Sequence, residues 1–230
     1  TPKPSSAASD VYKRQVYRAA EEIMTRCSPC LDREEYILVC GTKARRKRGM
    51  VLKKKINVFD YAGDIMKALD KGVLITTKAD GKVDSMTLGW GTLGIDWSLP
   101  VFTAYIRKSR FTKEQLEKNP EFTVNVPYGA FDPKILGVCG SKSGRDMDKA
   151  KELGLTLVDP EVISVPAVKE LPLTLECRVV CVEKQDTDTM PEEILKEHYP
   201  SEKPTPFGGS LENYHYAFYG QIVSAYIIED

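Results

Sequence analysis

The sequence predicts a mainly β fold with short helices, an antiparallel barrel, and three observations predict it. Strand-like runs recur from Lys54 to the C-terminus, the helical stretches between them are short and sit at corners, and no βαβ rhythm joins parallel strands. That pattern speaks against a doubly wound dinucleotide fold, as does the lack of a G-x-G-x-x-G fingerprint.

Lys54 to Val58 is the first expected strand. Asp60 is placed to cap a helix over Tyr61 to Leu69, where Ile65, Met66 and Leu69 recur at helical spacing, and Gly72 ends it. Val73 to Thr77 and Val83 to Trp90 pair as an antiparallel hairpin, because Ala79-Asp80-Gly81-Lys82 carries the Asp-Gly signature of a tight turn. Pro100 to Arg107 and Phe122 to Val126 are strands rich in β-branched and aromatic residues, and Pro127 stops the second. Phe111 to Asn119 is a short helix between them. Asp132 to Cys139 and Asp146 to Leu153 read as helices, the second closed by Gly154 just past its last turn. Leu173 to Lys184 and Tyr214 to Ile228 are long strands, and Tyr199 to Ser210, rich in Pro and Gly, is a loop.

A chain of 230 residues suits one core of ordinary size plus an extra segment. With 42% hydrophobic and 29% charged residues and no apolar run of bilayer length, it has a globular composition and no expected membrane partner. No apolar stretch of a secretory signal follows the N-terminus, so the expected location is the cytoplasm. Six cysteines in that setting argue for reduced thiols. The formal net charge is zero, which argues against bulk attraction to nucleic acid. Of the 33 basic and 33 acidic residues, the first fifty positions hold 11 and 6, leaving 22 and 27 for a mildly acidic remainder.

Residues 1–49 read as a non-native or disordered leader, and residues 50–230 as the domain. Ser5 to Gln15 is Ser/Ala-rich, Asp10 to Gln15 resembles a translated transposon end, and Met50 follows a basic, Gly-ended stretch, as a natural start would. Cys27-Ser28-Pro29-Cys30 has the spacing of a metal knuckle, but a structural zinc needs four ligands and only Cys40 is near, so no metal site is expected. Arg45 to Arg48 lacks interleaved aromatics and reads as solvated tail.

Three segments carry the chemistry. Arg107-Lys108-Ser109-Arg110-Phe111-Thr112 joins a strand end to a helix start, and Thr112 with Gln115 has the capping-box pattern. Backbone N–H groups at such a start form an anion site, to which Arg107 and Arg110 add guanidinium forks and Ser109 and Thr112 hydroxyl donors. Each charge-assisted bond contributes roughly 1.5–3 kcal/mol. The competing reading is an exposed basic turn. Cys139-Gly140-Ser141-Lys142-Ser143-Gly144-Arg145-Asp146 either offers backbone donors to a ligand or is a connector with Asp146 as a helix cap. In Ser85-Met86-Thr87-Leu88-Gly89-Trp90-Gly91, the glycines weaken a strand unless something approaches its backbone closely. A flat ring beside Trp90 and Met86 would explain them; core packing or a dimer interface is the alternative.

In combination, these segments resemble the flavin reductase-like family of FMN-binding, antiparallel Greek-key split β-barrels. The resemblance rests on Ser85-x-Thr87-x-Gly89, Arg107-x-Ser109-x-x-Thr112, Phe122-x-Val124-Asn125-x-Pro127 and Cys139-Gly140 through Lys149, in order and spacing, and covers about residues 54–229. Tyr214-His215-Tyr216 resembles the flavoredoxin-type branch. The pyridoxamine-phosphate oxidase-like barrels, which also bind FMN, fit less well.

The resemblance implies that Arg107, Ser109 and Thr112, with Arg110 and Phe111 in the same turn, lie near the FMN phosphate. It places Ser85, Met86, Thr87, Gly89 and Trp90 near the isoalloxazine, and adds Asn125, Cys139, Gly140, Ser143, Asp146 and Lys149 to the cofactor site. A homodimer is implied too, with the flavin near the subunit interface. The expected function is an FMN-binding oxidoreductase, with NADH, NADPH or a redox protein as electron donor. The alternatives are a flavoredoxin-like carrier that does not oxidise NAD(P)H, or a non-redox flavin-binding module. No catalytic acid or base is required, since the cofactor performs the redox step. His215 is the one candidate, as proton or hydrogen-bond donor, against the reading of a satisfied packing histidine. Cys139 is either a redox thiol or a filler of core space.

Overall fold

A computed structural model of the chain describes residues 51–200 and 213–229. The chain divides into Thr1–Met50 and Val51–Asp230, and every described residue belongs to the second unit. The expected leader, with Cys27, Cys30 and Cys40, lies outside the described residues, as does most of the expected Tyr199–Ser210 loop.

Among the described residues, ten strands carry the fold: β1 (Leu52–Lys55), β2 (Val73–Ala79), β3 (Lys82–Leu88), β4 (Gly91–Asp96), β5 (Leu99–Arg107), β6 (Glu121–Val126), β7 (Leu157–Val158), β8 (Ala167–Val168), β9 (Leu173–Lys184) and β10 (His215–Glu229). Five helices punctuate them: α1 (Ala62–Lys71), α2 (Phe111–Lys118), α3 (Lys134–Ser141), α4 (Lys149–Leu153) and α5 (Glu192–His198). One antiparallel sheet runs β3-β2-β6-β9-β10-β5-β4, with β1 also on β10, and β7 and β8 form a separate small ladder. The path does not close on itself, so the architecture is the mainly β, antiparallel split barrel expected from the sequence. The long β10 is its spine, pairing with β9 on one side and with β5 and β1 on the other.

Alternation decides which side chains fill the barrel. Phe102, Ile106, Phe122, Val124, Leu173, Leu175 and Phe218 meet inside it, and each large apolar side chain buried contributes about 1.5–3 kcal/mol. Val73 and Ile75 of β2 join that core. Leu74, which points the other way, packs under α3 with Ile135, Cys139 and Leu171. Covered on both faces, β2 is buried almost throughout. The hairpin turn forms as expected, with Asp80 at φ 51° and Gly81 at φ 76°.

Several expectations shift. The first strand is Leu52–Lys55, set by its pairing with Glu229 to Tyr226 of β10, not Lys54 to Val58. Asp60 caps no helix: Val58–Tyr61 is a 3₁₀ turn whose N-cap is Asn57, and α1 begins after it at Ala62. α1 buries Ile65 and Leu69 but leaves Met66 exposed. The expected strand Val83–Trp90 ends at Leu88, and β4 follows, joined to β5 by a turn in which Trp97 and Ser98 hold positive φ. Asp148, not Asp146, caps α4 by accepting from the Lys151 N–H at 3.0 Å. Among the described residues, no helix is long and apolar enough to cross a membrane.

Candidate functional site

β3 is an end strand of the sheet, so one of its backbone edges has no partner strand among the described residues. A cleft of about 440 Å³ opens beside its C-terminal half. Met86, Thr87, Leu88, Gly89 and Trp90 form one wall, Tyr105, Arg107 and Arg110 a second, and Gly140, Glu197, His198 and His215 complete it. The Ser85 carbonyl turns away from the sheet to accept from Lys149 Nζ at 2.7 Å. By the two-residue period of a strand, the backbone of Thr87 faces the same way, toward the cleft.

A smaller pocket of about 130 Å³ adjoins it, and Met86 and Arg110 line both. Ser109, Arg110, Phe111 and Thr112 form one side of this pocket and Ser141 to Arg145 the other, with Asp84 and Lys149 also lining it. Arg145 pins the two sides together through the Ser109 carbonyl at 3.2 Å and an ion pair with Glu114.

The expected capping box is absent. Arg110 occupies the cap position of α2 without a side-chain cap bond, and Thr112 is buried inside the helix with its hydroxyl 3.6 Å from Met86 Sδ. Gln115 instead bonds the Thr77 hydroxyl and the Lys82 carbonyl. Packing against the β2–β3 hairpin commits both side chains to the barrel wall. The helix amides stay uncapped, and Phe111 and Thr112 have no acceptor for theirs among the described residues. Beside them, the Arg110 guanidinium makes no hydrogen bond or ion pair there either, and burial lowers its pKa. An uncompensated cation beside uncapped helix amides is the donor set of an anion site.

Arg107 stands apart from the smaller pocket. Its Nη1 donates to the Asn213 carbonyl and its Nη2 to the His198 carbonyl, both at 3.3 Å. It also lies over the rings of Trp90 and Tyr199, 5.8 and 5.3 Å from their centroids. It lines the larger cleft and not the smaller pocket. His215, in register with Arg107 across β5 and β10, tilts against Trp90 at 4.6 Å between centroids, and its Nδ1 is hydrogen-bonded to the Tyr199 hydroxyl. Burial, then the neighbouring Arg107, Arg110 and His198 charges, pull its pKa down to about 3, so the imidazole is neutral near pH ~7. His198 meets the Trp90 ring edge-on at 5.0 Å.

Met86, Thr87, Gly89, Trp90, Arg107, Arg110, Gly140 and His215 therefore gather at the cleft, and Ser109, Phe111, Thr112, Ser143 and Lys149 at the smaller pocket. Ser85, Asn125, Cys139 and Asp146 line neither. The Ser85 hydroxyl pairs with Thr76 at 2.8 Å, and Asn125 bonds Thr174 at 3.0 Å within the sheet. Cys139 is fully buried, and its thiol is pushed up to about 11 by that burial, so it stays protonated. Gly91 has an internal reason that needs no ring: a Cβ there would lie 2.8 Å from the Thr103 carbonyl and 3.2 Å from Phe102.

Sequence reasoning missed Asp84, Arg145, Glu197, His198 and Tyr199. α5 did carry a signal, since Pro191 precedes Glu192 and Glu193 in its first turn while Lys196 and His198 fall in its last. Asp84 carried none, because its partner Lys149 is distant in sequence.

Comparison with known proteins bears on this geometry. The family model described as flavin reductase like domain matches residues 66–230. An uncharacterized protein of Archaeoglobus fulgidus is 35% identical over 99 residues, 43% of this chain and 55% of that protein. The chain spans about half the length of the curated relatives it matches. Among solved structures, flavoredoxin from Methanosarcina acetivorans is 28% identical with a TM-score of 0.49, covering 68% of this chain and 67% of that one. An FMN-binding domain of a flavin reductases-like enzyme from Shewanella baltica aligns at a TM-score of 0.51 and 18% identity, covering 77% of this chain and 78% of that one, and shares the fold. An open antiparallel barrel with its cleft on the unpaired edge, and a family match over most of the chain, lead to one conclusion: the chain belongs to the flavin reductase-like domain family.

Proposed function

We propose that the chain binds FMN and acts as an oxidoreductase, passing electrons from NADH, NADPH or a protein donor through the flavin. The observation that carries this reading is Arg110, a guanidinium with no hydrogen-bond or ion-pair partner among the described residues, standing where a ring-sized cleft meets the smaller pocket at the start of α2. The residues present fit the cofactor in two parts. Met86, Leu88, Trp90 and Tyr105 offer apolar and aromatic surface for a flat ring beside a strand edge with unpaired backbone groups. The α2 amides, Arg110 and Ser143 offer donors for a phosphate.

Bound FMN would supply hydride and electron transfer, chemistry that no side chain of the cleft provides. Arg110 and the α2 amides bind and orient, and Trp90 offers its ring to one wall of the cleft. His215 presents a neutral imidazole to the cleft rather than a cationic proton donor.

A homodimer is part of the proposal. Ile95 and Trp97 on the β4–β5 hairpin, and Val180 and Val182 on β9, are exposed apolar side chains that a second copy would cover; light scattering at a monomer mass would count against it. We also place the protein in the cytoplasm, in keeping with free thiols at Cys139, Cys177 and Cys181.

The test is anaerobic addition of NADH or NADPH to the FMN-loaded protein. Loss of the visible flavin absorbance supports a reductase. Bands that persist until a reduced protein donor is added support a flavoredoxin-like carrier, and an absence of flavin binding removes the proposal.

A further inference from the structure

The hydrogen bonds around His215 determine what kind of group can dock against it. The Tyr199 hydroxyl contacts His215 Nδ1 and donates to Gln185 Oε1 at 3.3 Å. Gln185 is itself held beside His215, its backbone N–H donating to the His215 carbonyl at 3.0 Å. A phenol has one proton. With that proton on the Gln185 side, the phenol oxygen accepts from His215, so Nδ1 carries the imidazole proton and Nε2 is bare. Nε2 has no partner among the described residues, where no buried side-chain nitrogen or oxygen is left unsatisfied. His215 lines the cleft, and Nε2 is the ring nitrogen that Tyr199 leaves for it.

We propose that Tyr199 is a positioning residue that, set by Gln185, holds His215 in the Nδ1-protonated tautomer and presents a bare Nε2 to the cleft. The group that docks there is then an N–H donor of amide or imide type. The tautomer stands independently of the flavin reading; naming the donor as the flavin's imide or a nicotinamide's carboxamide rests on it. The surroundings agree. Arg107 on β5, Arg110 before α2 and His198 on α5 are the charged or titratable groups facing the ring with Tyr199, and with burial they keep His215 neutral. Burial also raises the Tyr199 pKa, so its hydroxyl keeps the proton it donates.

The experiment is ¹⁵N NMR of the histidine-labelled full chain, with His215 assigned by loss of its signals in His215→Gln. At pH ~7 the expected spectrum shows a protonated Nδ1 and a bare Nε2; the opposite or an averaged tautomer overturns the proposal. In Gln185→Leu the hydroxyl turns to Nδ1 and the two nitrogen shifts exchange, whereas in Tyr199→Phe they average. A merely structural Tyr199 would leave the shifts of both variants as in the wild type. Should either variant fail to fold, the wild-type tautomer alone decides. FMN that moves the Nε2 shift identifies the flavin imide as the donor, and a shift only when NAD⁺ follows FMN identifies the carboxamide. No response to either ligand, with FMN bound by absorbance, overturns the docking claim; no FMN binding at all sinks the flavin reading and leaves the tautomer result standing.

Discussion

Replacing Lys149 with Met should destabilise the domain by about 3–5 kcal/mol, because it leaves Asp84 as a buried carboxylate without its partner. Lys149 Nζ lies 3.1 Å from Asp84 Oδ1, and the two side chains are 2% and 3% exposed. Burial raises the Asp84 pKa above its ordinary value near 3.8, and Lys149 is the strongest influence opposing that rise. Methionine keeps roughly the shape of the lysine stem and removes only the charge and the bond to the Ser85 carbonyl. Without the ammonium, the folded pKa of Asp84 rises further, and the protonated carboxyl becomes the form the fold tolerates. A raised folded pKa gives stability that is present in acid and lost as pH rises, so the deficit of the variant should be largest near pH ~7 and shrink toward pH ~5. Urea unfolding followed by Trp90 and Trp97 fluorescence measures both points. Adding Asp84→Asn to Lys149→Met should recover much of the loss, since replacing both partners costs less than removing one. A deficit under ~1 kcal/mol, or one independent of pH, would refute the reasoning. Because this pair lines the smaller pocket, with Gly144 packed directly on the Asp84 carboxylate, the variant should also bind FMN more weakly.

Arg110→Ala should weaken FMN binding by more than about tenfold, the loss of one charge-assisted contact of roughly 1.5–3 kcal/mol, as read by flavin fluorescence quenching. Gly91→Ala should cost about 1–3 kcal/mol in urea unfolding, because its Cβ would meet the Thr103 carbonyl at 2.8 Å. His215 should make stability pH-dependent in a defined window. Its pKa falls from 6.5 to about 3 on folding, so its contribution is complete above 6.5 and lost as pH drops toward 3. His215→Gln should therefore show a shallower acid dependence than the wild type, and equal slopes would contradict it.

The fold was legible where local chemistry and tertiary context agree. Asp80-Gly81 specifies its turn with no outside help, and the alternation in Phe122 to Val126 reports a strand that is half core and half neighbour. β4 was missed because its turn to β5 uses Trp97 and Ser98 at positive φ, positions where Gly or Asn would have signalled a hairpin. The Thr112 and Gln115 pattern misled for a tertiary reason: both side chains face the β2–β3 hairpin, and spacing along one helix cannot report that. The cleft itself was half legible. The strand Met86 to Trp90 and the turn at Arg110 could be found from residue type. Their partners His198 and Tyr199 arrive at the end of α5, and the bonds of Arg107 to the Asn213 and His198 carbonyls appear only in three dimensions.

Parallel equilibrium titrations of the protein with FMN and with riboflavin, followed by absorbance and flavin fluorescence, test the central claim most directly. The two ligands share the ring and differ in the phosphate. With the ring in the larger cleft and the phosphate between Arg110 and the α2 amides, FMN should bind more than about tenfold tighter than riboflavin, two or more charge-assisted bonds of roughly 1.5–3 kcal/mol being at stake. Equal affinity for both, or binding of neither, would contradict the account.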